Sequence, residues 1–280
     1  MSRLDVRKTY KLYIGGKFPR SESGRSYPAL DSEGEVLARV ASASRKDLRD
    51  AVRIARGAVK GWADRDGYNR GQILYRIAET LEDREGSFVE QLTDAGSKPA
   101  AARHEVSDSV DRLVWYAGWC DKFAQIYGNL NPVSGPFFNI SAPEPTGVVG
   151  IVAPEEPALL GLVSRLAPVL VPGNTAVVLA SEKTPMPAIT FSEVLDSSDV
   201  PGGVVNILTG HTDDLVPWMA DHMDINAVDA GGATPEQVIR IQEGAVHNVK
   251  RVVLPDEVGQ SPYRIAAFTE TKTVWHPKGL

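Results

Sequence analysis

The chain contains 280 residues, of which 42% are hydrophobic and 24% are charged. These proportions are ordinary for a globular protein with a buried core, so they exclude a disordered or low-complexity chain. The length is enough for one large domain or two modest ones. The 30 lysine and arginine residues against 36 aspartate and glutamate residues give a net charge of −6, which argues against a nucleic-acid partner because such proteins present a basic face.

The most apolar stretch, residues 158–171, is interrupted by Ser164, Arg165 and Pro168, so it is too broken to span a bilayer. The basic first twenty residues lack the apolar core of a signal peptide. A single cysteine, Cys120, excludes an intramolecular disulfide and a cysteine-cluster metal site. We therefore expect a cytoplasmic protein with no membrane partner and no bound metal.

The N-terminal half of the chain predicts turns and then helices. Residues 1 to about 45 are rich in turns, with a strand, turn and strand pattern over residues 12–18. Residues 46–127 predict helices, because apolar residues recur every three or four positions. Ser44 followed by Asp47 is a capping signal for the first of these helices.

From residue 147 onwards, apolar runs alternate with helical patterns. The runs predict strands at 147–153, 175–179, 204–208, 225–228 and 251–254, with helices at 158–171, 188–195, 213–220 and 235–246. Short alternating segments of this kind favour a parallel, doubly wound sheet, which binds ligands at the carboxyl ends of its strands. Neither a G-x-G-x-x-G nor a Walker A motif occurs, so motifs alone leave open whether that crevice is filled.

Short motifs follow one another in order along nearly the whole chain. They are YIGGKF at 13–18, YAGWCDK at 116–122, PTGVVGIVAP at 145–154, SEKTP at 181–185, PGGVVNILTG at 201–210 and FTETKTVW at 268–275. In this order they resemble the aldehyde dehydrogenase superfamily. The resemblance implies an α/β fold with a Rossmann-like doubly wound parallel sheet, N-terminal helices, an oligomerisation hairpin and a C-terminal oligomerisation strand.

Only 13 residues separate Leu254 from Phe268, at the place where the family has its whole catalytic domain. The simplest explanation is an internal deletion of that domain. The predicted organisation is then an N-terminal strand and helical part of the cofactor-type domain (1–139), an oligomerisation hairpin region (140–146), a Rossmann-like core (147–257), and a C-terminal oligomerisation strand and tail (258–280).

The resemblance also implies that the family's catalytic residues are missing. Cys120 occupies an alanine position of the family's Y-A-G-W-A-D-K helix, so it is expected to be a packing residue rather than a nucleophile. Glu156 replaces the oxyanion asparagine, and a carboxylate accepts hydrogen bonds where that amide would donate one. Pro255 takes the direct place of the general-base glutamate, although Asp256 or Glu257 would approach it with an offset.

The resemblance also implies that some of the family's cofactor-binding residues are replaced in this chain. Leu179 replaces the lysine of K-P-S-E, and Glu182 remains as the residue that would hold the adenosine ribose. Asp229 adds negative charge where the family's F-T-G-S faces the cofactor phosphates, and this charge would repel an anion. Gly231 and Gly232 nevertheless leave open a nest of backbone N–H groups that could bind one. We expect no bound cofactor, with NAD at a degraded site as the alternative.

These features lead to the hypothesis of a noncatalytic, aldehyde-dehydrogenase-like subunit. It would assemble with a full-length aldehyde dehydrogenase paralogue, as a homo-oligomer, or both, much as fused family members carry a degenerate second domain. The expected interface lies in a hairpin around 138–144 and the strand 270–275, with these residues: Asn139, Ile140, Ser141, Thr271, Lys272, Thr273, Val274 and Trp275. Two alternatives stay open: an NAD(P)-dependent aldehyde oxidoreductase active only within a complex, and a nucleotide-binding regulatory module.

Overall fold

The computed structural model describes residues 8–254 and 259–279. The chain begins with a small sheet of three strands: β1 (Thr9–Tyr10), β2 (Ser26–Leu30) and β3 (Val36–Ala41). Strand β3 lies in the middle, parallel to β1 and antiparallel to β2. The strands predicted at 12–18 are isolated bridges instead, of which Ile14 pairs with Lys17 and Tyr13 pairs with Ile207 in the main sheet.

Five helices follow: α1 (Arg45–Ala63), α2 (Gly67–Asp83), α3 (Glu85–Asp94), α4 (Pro99–Ala117) and α5 (Phe123–Tyr127). The predicted cap of α1 is confirmed as a capping box, in which Ser44 accepts from the N–H of Asp47 and the Asp47 carboxylate accepts from the N–H of Ser44. Helix α4 begins at a proline, whose missing N–H costs nothing in the first turn.

The second half of the chain builds the remaining strands and helices. They are β4 (Asn129–Asn131), β5 (Phe137–Pro145), β6 (Val148–Val152), α6 (Ala158–Leu170), β7 (Thr175–Leu179), α7 (Met186–Asp196), β8 (Val205–Leu208), α8 (Thr212–Asp221), β9 (Ala227–Asp229), α9 (Pro235–Ala245), β10 (Arg251–Val253), α10 (Pro262–Ala266) and β11 (Thr269–Pro277).

The central sheet has the order β10-β9-β6-β7-β8, and all its neighbours are parallel. This confirms the predicted doubly wound α/β fold. Helices cover both faces, since Val149 and Ile151 pack in a cluster with α6 and α7, while Val148 and Val152 pack in another with α1, α8 and α9. The strand order reverses between β6 and β9, which is where such a sheet opens a crevice. Within the described ranges, no helix is both long and apolar enough to cross a membrane.

A third sheet has the order β11-β5-β4. Its strand β11 runs antiparallel to β5 over nine residues, from Thr269 opposite Pro145 to Pro277 opposite Phe137. The hairpin expected at 138–144 is wrong, because those residues lie inside the single strand β5 and the hairpin is formed by β4 and β5. The apolar and polar alternation of 137–141 fits a strand, and the turn precedes it at 132–136.

Candidate functional site

The crevice at the carboxyl ends of β6, β7 and β8 is bridged by the side chain of Glu155. Its carboxylate accepts from the Ser181 hydroxyl at 2.7 Å and from the backbone N–H groups of Lys183 at 3.0 Å and Glu182 at 3.2 Å. Glu155 therefore ties the loop after β6 to the loop after β7. Sequence reasoning missed this role, because an acidic pair at a strand end does not reveal which loop it faces.

The carboxylate of Glu182, expected to hold a ribose, forms hydrogen bonds within the protein. One oxygen lies 2.5 Å from Nδ1 of His211, and the other accepts from the N–H of Thr212 at 3.1 Å. Thr212 is the first residue of α8, whose positive end favours a carboxylate. The Tyr27 ring lies 5.4 Å from the His211 ring, between centroids, and burial raises the pKa of that tyrosine. Glu182 thus links the loops after β7 and β8.

Asp229, expected to add negative charge near the position of a pyrophosphate, forms an ion pair inside the protein. Its carboxylate lies 3.4 Å from Nη1 of Arg165 on α6, and both side chains are 1% exposed. The expectation did not include the buried arginine that balances this charge. The sequence feature that could have indicated this pair is Arg165 within an apolar helix pattern, because a buried charge needs an opposite charge nearby.

The glycine turn after β9 does not present the free backbone nest that the sequence left possible. The N–H of Gly231 donates to the Asp229 carboxylate at 2.8 Å, and the N–H of Gly232 donates to the carbonyl of Val152 at 2.8 Å. A Cβ atom at Gly231 would overlap the Arg165 guanidinium. The start of α9 is closed by its own capping box.

A cavity of about 470 Å³ adjoins the crevice, and its lining includes two acids, Glu105 and Glu156. Glu156, at the position of the family's oxyanion asparagine, is exposed at its rim. Glu105 on α4 reaches the start of α6 and accepts from the N–H groups of Leu159 at 2.8 Å and Leu160 at 3.2 Å. Burial, and to a lesser degree the charge of Glu156, raises the pKa of Glu105. The carboxylates of Glu105 and Glu156 in this wall are hydrogen-bond acceptors, whereas an oxyanion is stabilised by donors.

Cys120 lies outside the crevice. It is 5% exposed, and its thiol donates to the carbonyl of Tyr116 at 3.6 Å. Burial raises the pKa of this thiol to about 12, so the reactive thiolate is scarce at neutral pH. Pro255, with its neighbours Asp256 and Glu257, lies outside the described residues. Within the described part of the chain, no group of three acidic, histidine or cysteine side chains is arranged to hold a metal ion.

The residues expected at an interface come together on the sheet of β4, β5 and β11. One face carries a polar network, in which Asn131 donates to Asn139 at 2.7 Å and to Ser141 at 2.8 Å, and Ser141 lies 2.8 Å from the Thr273 hydroxyl. Trp275 packs edge-on against Phe137 on the same face. The opposite face exposes an apolar row across the three strands: Leu130, Ile140 and Val274.

Comparisons with known proteins agree with this architecture. The model of the aldehyde dehydrogenase family matches residues 20–273. Retinal dehydrogenase 2 from Mus musculus is 33% identical over 273 residues, which cover 94% of this chain and 51% of that protein. Cytosolic 10-formyltetrahydrofolate dehydrogenase from Xenopus laevis is 31% identical over 271 residues, covering 94% and 30% respectively.

Among solved structures, the NAD+ complex of an aldehyde dehydrogenase from Bacillus cereus superposes with a TM-score of 0.83 at 26% identity. The match covers 88% of this chain and 50% of that one. HpcC from Thermus thermophilus gives a TM-score of 0.83 at 27% identity, with 88% and 48% coverage. The chain thus spans about half the length of these structures.

Proposed function

The chain belongs to the aldehyde dehydrogenase family, and we propose that it is a noncatalytic subunit that assembles with a full-length member and stabilises or regulates it. The observation that carries the proposal is the edge strand β11, which has nine residues and borders an exposed apolar row. A long edge strand presents unpaired backbone N–H and C=O groups, and an exposed apolar face beside it favours burial against another chain.

The lack of catalysis in this proposal is supported by the internal hydrogen bonds of the polar groups around the crevice. The carboxylates of Glu155 and Glu182 and the amides of Gly231 and Gly232 are all engaged inside the protein. A dinucleotide would have to displace these contacts, and each displaced group would lose a hydrogen bond. Glu156 would also repel a developing oxyanion. The NAD(P)-dependent chemistry would then reside in the partner.

Assembly with a partner is supported by the exposed apolar side chains of the third sheet. Ile140 and Val274 stand opposite each other on neighbouring strands, and both are about half exposed. Burying such a pair against another chain removes apolar surface from water, which stabilises the contact. Strand addition at the β11 edge would supply main-chain hydrogen bonds and fix the orientation of the partner.

The test mixes the purified chain with a full-length aldehyde dehydrogenase from the same source and measures mass by size-exclusion chromatography and native mass spectrometry. We expect a joint complex that Val274→Asp and Ile140→Asp abolish. Leu30→Asp is the matched control, since Leu30 is similarly exposed but lies on the N-terminal sheet. Separate elution of the two proteins at micromolar concentrations would refute the assembly. Formation of NAD(P)H by the isolated chain with aldehydes would refute its noncatalytic nature.

A further inference from the structure

Basic side chains form a row along the outer side of α1. Spacings of four, four, three and four residues place five of them on one side of the helix: Arg45, Arg49, Arg53, Arg56 and Lys60. All of them are exposed except Arg56, which is half-buried. The row is about 22 Å long, and we call it the basic face.

Ion pairs neutralise the basic face only in part. Asp50 lies 3.1 Å from Arg49 and 3.9 Å from Arg53, so a single carboxylate serves two guanidinium groups. Lys60 pairs with Asp64. Among the residues that the structure describes, these two carboxylates are the ion-pair partners of the row. The basic face therefore keeps a net positive charge on a chain whose total charge is −6.

The segment from the end of α2 through α3 carries the opposite charge. Its acidic residues are all exposed: Glu79, Glu82, Asp83, Glu85, Glu90 and Asp94. In the part of the chain that the structure describes, none of these carboxylates forms an ion pair. The basic residue of this segment, Arg84, pairs with Glu193 at 3.2 Å. We call the exposed surface of residues 79–94 the acidic face.

The basic and acidic faces lie on opposite sides of the central sheet. Leu48 of α1 packs in the same apolar cluster as Val148, whereas Leu81 of α2 and Phe88 of α3 pack in the cluster of Val149. Consecutive residues of a strand point to opposite faces of its sheet. The exposed side of α1 and the exposed sides of α2 and α3 therefore point away from each other, so both are open to other molecules at the same time.

We propose that copies of this chain stack head to tail, with the basic face of one copy against the acidic face of the next. Guanidinium groups bind carboxylates through paired, charge-assisted hydrogen bonds. The total charge of −6 makes most other orientations of two copies repulsive. Because the contact joins two different patches, it is heterologous and propagates instead of closing as a twofold dimer does.

The stacking contact uses neither β5 nor β11. It is therefore compatible with the assembly of the third sheet with a full-length family member, and it stands or falls separately from that assembly. Since both faces are exposed, salt should weaken the contact: the screening length falls from about 30 Å at 0.01 M salt to about 3 Å at 1 M.

Neutralising each face in turn tests the contact by sedimentation velocity. Arg49→Gln with Arg53→Gln weakens the basic face and leaves the acidic one intact. Glu82→Gln with Glu85→Gln does the reverse. At about 0.01 M salt, we expect the average mass of the wild type to increase with protein concentration and to reach at least twice its value at about 1 M salt. Each double variant alone should keep the mass that the wild type has at high salt.

An equimolar mixture of the two double variants provides the sharpest result. One intact basic face then meets one intact acidic face, so we expect complexes that contain one copy of each variant and do not grow further. Such complexes also show that both variants are folded. Lys122→Gln with Lys272→Gln is the matched control for loss of two positive charges, at exposed positions outside both faces, and should stack as the wild type does.

Three results would overturn the proposal. The first is a wild-type mass that is the same at both salt concentrations. The second is an acidic-face variant that associates as the wild type does, which would show that the basic face binds something other than the acidic face. The third is a mixture of the two variants that forms no joint complex.

Discussion

The imidazole Nδ1 of His211 lies 2.5 Å from the carboxylate of Glu182, the residue that the family resemblance assigns to the adenosine ribose. The second carboxylate oxygen accepts from the N–H of Thr212. A ribose diol at this carboxylate would have to replace contacts that are already made inside the protein, where Glu182 links the loop after β7 to the start of α8.

The first prediction follows for cofactor binding. Titration of the purified chain with NAD or NADP in a calorimeter should give no saturable heat up to millimolar cofactor, because the residues that the resemblance assigns to the ribose and the phosphates, Glu182 and Asp229, form hydrogen bonds and an ion pair inside the protein. An active full-length aldehyde dehydrogenase measured in the same buffer is the positive control. A saturable heat with a submillimolar dissociation constant would contradict the expectation.

The fold was predictable because its signals are local. The apolar runs around Val149 and Val177 predict buried strands, and Ser44 with Asp47 predicts a helix cap; the structure has all of these. The pairing of Tyr13 with Ile207 was not predictable, since it joins segments 194 positions apart with no sequence signal that links them.

The contacts in the crevice were only partly predictable, because many of them also join segments that are distant in the sequence. Substitutions such as Glu156 are visible in the sequence once a family is recognised. The contacts of Glu155 with the loop after β7, and the pair of Arg165 with Asp229, depend on how separate loops and helices meet. Residue type indicated that these groups need partners, but only the tertiary structure identifies them.

The second prediction concerns Glu155 as a link between loops. Glu155→Ala should lower the free energy of unfolding by about 1–3 kcal/mol, because the Ser181 hydroxyl and two backbone N–H groups lose their acceptor. Urea unfolding followed by circular dichroism measures the change. The adjacent, exposed Glu156→Ala is the matched control and should shift stability by less than about 0.5 kcal/mol. Equal effects of the two variants would show that Glu155 does not link the loops.

The third prediction concerns the thiol of Cys120. Because burial raises its pKa to about 12, the native chain should react with Ellman's reagent only as fast as it unfolds, and reaction should become fast in denaturant. Ser32→Cys, in the exposed turn between β2 and β3, supplies a thiol that should react at once. Rapid modification of the wild-type chain under native conditions would be inconsistent with a packing role for Cys120.

The fourth prediction is a pH dependence set by Lys250. Its ammonium is buried and donates to the carbonyls of Ala220 at 2.6 Å and His222 at 2.8 Å. Burial lowers its pKa from 10.5 to about 8. Between these values the unfolded chain binds more protons than the folded chain, so the contribution of Lys250 to stability increases as pH rises through this window.

Lys250→Met removes that titration. We therefore expect the stability difference between wild type and Lys250→Met to change in favour of the wild type from pH 8 towards pH 10.5. Urea unfolding midpoints at several pH values measure it, and Lys17→Met, at an exposed position, controls for loss of one positive charge. A difference that stays flat or changes in the opposite direction would show that the pKa of Lys250 is not lowered in the fold.

The fifth prediction uses two glycines on the outer face of α1. A Cβ atom built at Gly57 or Gly61 has no atom of the described residues within 4 Å. Glycine inside a helix costs about 0.5–1 kcal/mol relative to alanine, because the unfolded chain loses more conformational freedom. Gly57→Ala and Gly61→Ala should each raise the free energy of unfolding by about that amount.

Gly71 on α2 provides the contrasting case. There an added Cβ would lie 2.9 Å from the carbonyl oxygen of Ala117 on α4, so Gly71→Ala has to push two packed helices apart. Denaturant unfolding should therefore show Gly71→Ala destabilised while both α1 variants are stabilised. If Gly57→Ala and Gly61→Ala instead lower stability in the isolated chain, the outer face of α1 is in contact with another part of the protein or a second copy.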